Sequence, residues 1–280
     1  MKRMLLIFWM VQTALGAVAQ TREPGAALST AEFECLYEYR VTHPTSVTET
    51  TTTILQIGRD GSCFMDYTAF QADSVAASPD ASDDELRKYR MRVAKNSLYF
   101  DQTVLQNYPQ GEITVYSVIP PDHYVYREKL HPIRWTLDAE TATVCGYVCK
   151  RATGEYGGRK WVVWYAPEIP ASFGPWKFGG LPGLVMRACD TEQIHCFEAI
   201  TFRKGTLPIV LPDVPHPVTV ERGRFIRSKN RFEADPMGNI PLESISDVVV
   251  QKGGDGSNTI LVNGVQLRLR PNGYTPLELE

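Results

Sequence analysis

The sequence contains no apolar run long enough to cross a membrane. Its longest, Met4 to Val11, falls well short of the ~20 residues a transmembrane helix needs. Neither sign of charge dominates, with 29 basic and 32 acidic residues among 280. That balance excludes a general nucleic-acid binder, which needs a basic surface. There are only five histidines (His43, His123, His131, His195, His216), and none has the paired spacing of a zinc site. The G-x-S-x-G elbow, the H-E-x-x-H helix, the phosphate-binding G-x-x-x-x-G-K-S/T loop and the EF-hand loop are all missing. No catalytic residue, metal site or cofactor is therefore expected from local motifs.

What is present points to a secreted β protein. Lys2 and Arg3, the apolar stretch after them and Ala17-Val18-Ala19 form a signal peptide over residues 1–19, a membrane anchor being the alternative. Removing it leaves 27 basic and 32 acidic residues, net −5, in one domain of 20–280. The expected location is exported: periplasmic, outer-membrane-associated or secreted, with no transmembrane segment after signal removal. All six cysteines follow the signal and reach a compartment where disulfides persist. Six thiols permit 15 complete pairings, so their number alone does not fix connectivity.

The fold expected is mainly β: a single antiparallel, curved sheet or open-barrel meander with one or two short amphipathic helices. Period-two alternation over Glu32–Val41 marks a half-buried strand, and Asp60-Gly61 and Asn263-Gly264 mark hairpin turns. Further strands are expected over 54–57, 63–67, 97–105, 112–118, 124–128, 134–137, 143–151, 160–165, 259–262 and 265–269, and the acidic stretch 71–84 reads as a surface loop. Ser82 and Glu85 form a capping box for a helix over 83–95, and a basic amphipathic helix is expected over 221–231 with Arg224, Arg227 and Arg231 on one face. Phe33, Tyr37, Tyr39, Trp135, Leu184, Met186 and Phe197 are the expected core.

One register is unusually well specified. A turn at Glu192-Gln193 sets Arg187 against Glu198, Ala188 against Phe197 and Cys189 against Cys196. Cys189 and Cys196 are therefore the candidate disulfide. Cys145 and Cys149, by contrast, would lie ~13 Å apart in a strand, beyond bonding reach. No setting that would lower a thiol pKa is visible, which argues against a thiol oxidoreductase.

The unusual segment is APEIPASFGPWKFGGLPG, residues 166–183. Its prolines and glycines restrict and shape the backbone, and it carries aromatics and two charges. Arg159, Glu168, Phe173, Trp176, Lys177, Phe178, Leu181 and Pro182 are the candidate binding residues. The plainer alternative is a loop folded over the sheet with Trp176 as a core plug.

At these residues the sequence resembles the GLPGLI family, exported proteins of Bacteroidota whose function is undefined. The hallmark stands here as Gly180-Leu181-Pro182-Gly183-Leu184-Val185. Supporting matches are Trp135, Gly146-Tyr147-Val148-Cys149, Gly158-Arg159, Trp164-Tyr165, Glu168-Ile169-Pro170, Gly174-Pro175-Trp176 and Pro276-Leu277-Glu278-Leu279-Glu280. The resemblance implies export and a β-rich fold and brings no catalytic residues; Cys145, Cys189 and Cys196 are additional to its pattern. The expected function is a non-enzymatic envelope protein binding an unidentified envelope protein or ligand. The alternatives are an exported hydrolase using Glu168 or Asp190, and a β-cavity carrier of an apolar ligand.

Overall fold

The computed structural model describes residues 25–280 apart from 79, 81, 96–98, 215, 237, 240–242, 244, 253–257, 264 and 268–272. The expected signal peptide at 1–19 lies outside the described residues, as do 97–98 and 268–269 at the ends of two expected strands.

In chain order the strands are β1 (Ala27–Thr30), β2 (Phe33–Thr42), β3 (Thr48–Ile57), β4 (Ser62–Asp66), β5 (Thr103–Gln106), β6 (Glu112–Ile119), β7 (Asp122–Lys129), β8 (Thr136–Val144) and β9 (Tyr147–Tyr156). They continue as β10 (Arg159–Ala166), β11 (Leu184–Asp190), β12 (His195–Lys204), β13 (Pro208–Val210), β14 (Val218–Thr219), β15 (Val248–Lys252), β16 (Asn258–Val262) and β17 (Val265–Leu267). The helices are α1 (Tyr67–Ala76), α2 (Asp83–Lys95) and α3 (Arg222–Ala234).

Twelve strands form one open sheet in the order β14-β7-β6-β5-β4-β3-β2-β12-β11-β10-β9-β8. The pairing is antiparallel except where β14 runs parallel to β7. The mainly-β expectation holds, but the described residues make three sheets and three helices instead of one sheet and one or two helices. Prolines explain part of the difference: without an amide N–H, the stretch 208–217 cannot continue a central ladder. It gives only the short β13, which forms a two-stranded ribbon with β1, and is followed by the two-residue β14. β15–β17 form the third sheet, whose hairpin pairs Val262 with Val265 around the expected turn.

Two local expectations are corrected. The stretch from residue 71 begins inside α1, because the Asp66 carboxylate accepts from the amides of Thr68 (2.8 Å) and Ala69 (3.1 Å) and starts a helix directly after β4. The single strand expected over 143–151 is broken by a turn in which Cys145 and Gly146 both have positive φ, 51° and 83°. β8 and β9 are the two arms of that hairpin.

Other expectations hold. β11 and β12 pair Arg187 with Glu198, Ala188 with Phe197 and Cys189 with Cys196, and the two cysteines form a disulfide. Tyr37, Tyr39, Leu184, Met186 and Phe197 are buried, while Phe33 and Trp135 pack at the margin of the core. α3 buries Phe225, Ile226 and Phe232 and leaves Arg224, Arg227 and Arg231 exposed. Among the described residues, no helix is long and apolar enough to cross a membrane.

Candidate functional site

β10 and β11 remain paired as far as Ala166 and Leu184, so residues 167–183 leave and rejoin the sheet at one point. Gly183 makes that closure possible, since an added Cβ would lie 2.2 Å from the Ala166 carbonyl oxygen. The loop turns inward. Trp176 and Phe178 are fully buried, with ring centroids 5.8 and 4.8 Å from that of Trp161 on β10. From the other side of the core, Gln106 on β5 donates its amide to the carbonyls of Gly174, Trp176 and Phe178 at 3.4, 3.1 and 3.2 Å. Trp135 donates to the Gly179 carbonyl at 2.8 Å. Trp176 sits at φ 52°, a left-handed conformation unusual for a bulky residue. Such strain costs ~1–3 kcal/mol, and burial of each large ring contributes ~1.5–3 kcal/mol against it.

Beside Trp176 lies Lys177, whose side chain is 0% exposed. Its ammonium is 2.7 Å from Glu128 Oε1 on β7 and 2.7 Å from Glu278 Oε1. It also donates to the Tyr156 hydroxyl on β9 at 3.1 Å, and the rings of Tyr126, Tyr156 and Trp176 surround it at 5.0–5.3 Å. Arg222 at the start of α3 closes the cluster, holding Glu278 Oε2 at 2.5 Å and lying 3.5 Å from Glu128. Tyr156 donates to Glu128 Oε2 at 2.5 Å. Two cations and two carboxylates thus neutralise one another, as burial of an ammonium demands. Burial, followed by the charges of Glu278 and Glu128, pushes the Tyr126 and Tyr156 phenols upward. Both therefore stay protonated.

Glu278 belongs to a segment, residues 274–280, that lies across the fold and is gripped by side chains from several elements. Arg159 donates to the carbonyls of Pro276 (2.6 Å) and Leu277 (3.2 Å), and its other arm meets Asp190 at 2.7 Å. His195 Nε2 lies 3.1 Å from the Pro276 carbonyl, and His43 Nδ1 lies 3.2 Å from Thr275 Oγ1. Asn230 donates to the Glu278 carbonyl at 2.8 Å, and the Leu279 amide donates to the Gly157 carbonyl at 2.7 Å. A cavity of about 70 Å³ remains alongside the segment, lined in part by Tyr39, His43, Asp101 and Lys229.

Of the sequence-predicted residues, Arg159, Trp176, Lys177, Phe178 and Leu181 are buried, Phe173 is half-buried, and Glu168 and Pro182 are exposed. Lys177 and Arg159 enter the charged cluster and the segment's grip. Sequence reasoning missed Glu128, Tyr156, Arg222, Asn230, His195 and Glu278, which are scattered over five regions of the chain. The available signals were Lys177 itself, a lone cation inside an aromatic and glycine run that folding buries, and the family-like ending Pro276-Leu277-Glu278-Leu279-Glu280, which holds the acid it meets.

The hydrolase carboxylates do not form a pair. Asp190 is buried, held by Arg159 and by the amides of Ile194 and His195, whereas Glu168 is exposed. Burial pushes the thiols of Cys35 and Cys63 up to about 12 and that of Cys149 to about 11, which keeps them protonated and poorly nucleophilic. An open groove of about 660 Å³ crosses β8–β10 past Arg134, Arg151 and Lys160. Two of its cations are already paired, Arg151 with Asp138 at 2.6 Å and Lys160 with Glu155 at 3.8 Å.

No curated protein sequence matches the chain. Among solved structures, PNGF-II is similar in two crystal forms at TM-score 0.45, with 16% and 15% identity over 81% and 83% of this chain. The chain spans only 40% of the length of PNGF-II in either form. The LolA superfamily protein NE2245 from Nitrosomonas europaea is similar at TM-score 0.26 and 10% identity, over 66% of this chain and 89% of that one. A family model described as a protein of unknown function (Porph_ging) matches residues 158–187. The stretch that resembles a described family is thus the one that supplies Arg159, Trp176 and Lys177, and that family is one of unknown function.

Proposed function

We propose that the chain is an exported, non-enzymatic binding protein of the cell envelope, a single β-rich domain over residues 20–280 following a cleaved signal peptide. The observation that carries this reading is the closed interior. Lys177, Arg222, Glu128 and Glu278 neutralise one another, and the cavity beside them is about 70 Å³, while the groove of about 660 Å³ over β8–β10 is an open surface feature. Small-molecule sites usually need ~300–1,000 Å³. The groups best suited to acid–base chemistry are thus occupied in holding polypeptide. The GLPGLI-like motif over 180–185 and the Cys189–Cys196 disulfide support export.

The test is to incubate the purified chain with panels of glycoside, ester and peptide substrates beside a Glu128→Gln variant. No turnover by either protein is expected. Turnover by the native chain that disappears in the variant would overturn the non-enzymatic reading.

A further inference from the structure

The segment 274–280 is held in the way a bound peptide is held. Among the described residues its one backbone–backbone hydrogen bond runs from the Leu279 amide to the Gly157 carbonyl; most of its other polar contacts come from side chains aimed at its carbonyls and its one buried acid, with His43 at the Thr275 hydroxyl and Asn230 accepting from the Tyr274 hydroxyl. Arg159 takes the carbonyls of Pro276 and Leu277, Asn230 takes that of Glu278, and Arg222 takes that of Glu280 at 2.8 Å. Lys177 and Arg222 take the Glu278 carboxylate from both sides. Leu277 packs against the core, whereas Leu279 is 51% exposed. Backbone capture combined with one charge-selective pocket is a general design for recognising extended peptides.

We infer that this slot is an exchangeable binding site for an extended acidic peptide of a partner protein, occupied in the free chain by the chain's own residues 274–280. The partner segment carries Glu or Asp two residues after a proline, with an apolar residue between them. Charge complementarity selects it: Arg159, Lys177 and Arg222 converge on the slot, with Asp190 and Glu128 supplying internal counter-charge. Displacement of the resident segment by the incoming one conserves these contacts, so exchange exposes no unpaired cation. The inference rests on the non-enzymatic reading above and names the partner for the same site.

The test uses the full chain carrying Glu278→Ala, which loosens the resident segment without removing it. The probe is a fluorescein-labelled peptide of residues 273–280, Gly-Tyr-Thr-Pro-Leu-Glu-Leu-Glu, followed by fluorescence anisotropy. The variant should bind this probe, and a probe with Gln in place of the acid that corresponds to Glu278 should bind at least about tenfold more weakly. Absence of binding, or equal binding of the two probes, overturns the inference. So does a concentration-dependent dimer of the native chain with cross-links from Glu278 to Lys177 of a second copy, because the slot would then serve self-association.

If Glu278→Ala does not fold, hydrogen exchange of the native chain decides. The Leu279 amide should exchange by local opening, at least about tenfold faster than the amides of β10. Exchange of Leu279 only on global unfolding would show that the slot never opens and overturn the inference. Cleavage of the probe would instead sink the non-enzymatic reading, so the two failures are distinguishable.

Discussion

Lys177 Nζ and Glu278 Oε1 stand 2.7 Å apart although 101 residues separate them in the chain. Around that contact the loop after β10, the strand β7, the helix α3 and the segment 274–280 are fastened to one another. The resulting network makes separable predictions.

Lys177→Met removes the cation and leaves Glu128 and Glu278 buried together with only Arg222 to balance them. Breaking a buried ion pair from one side typically costs about 3–5 kcal/mol. Urea denaturation should show a loss of this size. A loss below about 1 kcal/mol, the range of surface ion pairs, would mean that water reaches the cluster.

Trp176→Ala removes a fully buried indole packed on Trp161, Phe178 and Tyr156. The expected cost is about 3–5 kcal/mol. An unchanged melting temperature accompanied by lost partner capture would give the loop a presenting role instead of a plugging one.

Replacing both Cys189 and Cys196 with Ala frees a link that spans seven residues of sequence. Chain-entropy reasoning gives a cost of about 2–3 kcal/mol for so short a loop. Peptide mapping without reduction should recover these two cysteines joined; recovery of either on its own would refute the pairing.

His195 is neutral in the folded chain, its pKa lowered to about 3 by burial and by the nearby charge of Arg159. When unfolded it returns to ~6.5, so below that pH the unfolded chain takes up a proton that the folded chain does not. The contribution is present above pH ~6.5 and is lost as pH falls toward 3, by about 1.4 kcal/mol per unit. The groups facing His195 are Tyr39, Arg159, Asp190, His43 and the Pro276 carbonyl. Burial raises the pKa of Asp190, so its contribution has the opposite sign, and a comparison with His195→Gln isolates the imidazole. Between pH 7 and 5 the native chain should lose about 2 kcal/mol more than the variant. Parallel pH profiles would contradict this assignment.

Where the determinants are local, the sequence is readable. Arg187, Cys189, Cys196 and Glu198 lie within twelve residues, and one turn sets all their pairings. The α2 capping box is equally local. α1 escapes notice because its cap, Asp66, closes a strand, and the residues that follow show little separation of polar and apolar faces. The Cys145-Gly146 turn escapes because cysteine is not among the residues that usually mark positive φ. Lys177 stands out within an odd segment and Arg159 shortly before it, yet nothing adjacent in sequence names Glu128, Arg222 or Glu278 as their partners. Charge pairing across the core is a property of topology, and a period of two or 3.6 residues carries no information about it.

A ribosome delivers the amino-terminal residues first. At ~5–20 residues per second, Lys177 is made about 5–20 s before Glu278. Until that acid arrives, the middle of the core holds an ammonium with only half of its counter-charge. The centre of the core therefore reaches charge balance only when residues 274–280 dock on Lys177, so the order of synthesis sets the order in which the fold closes.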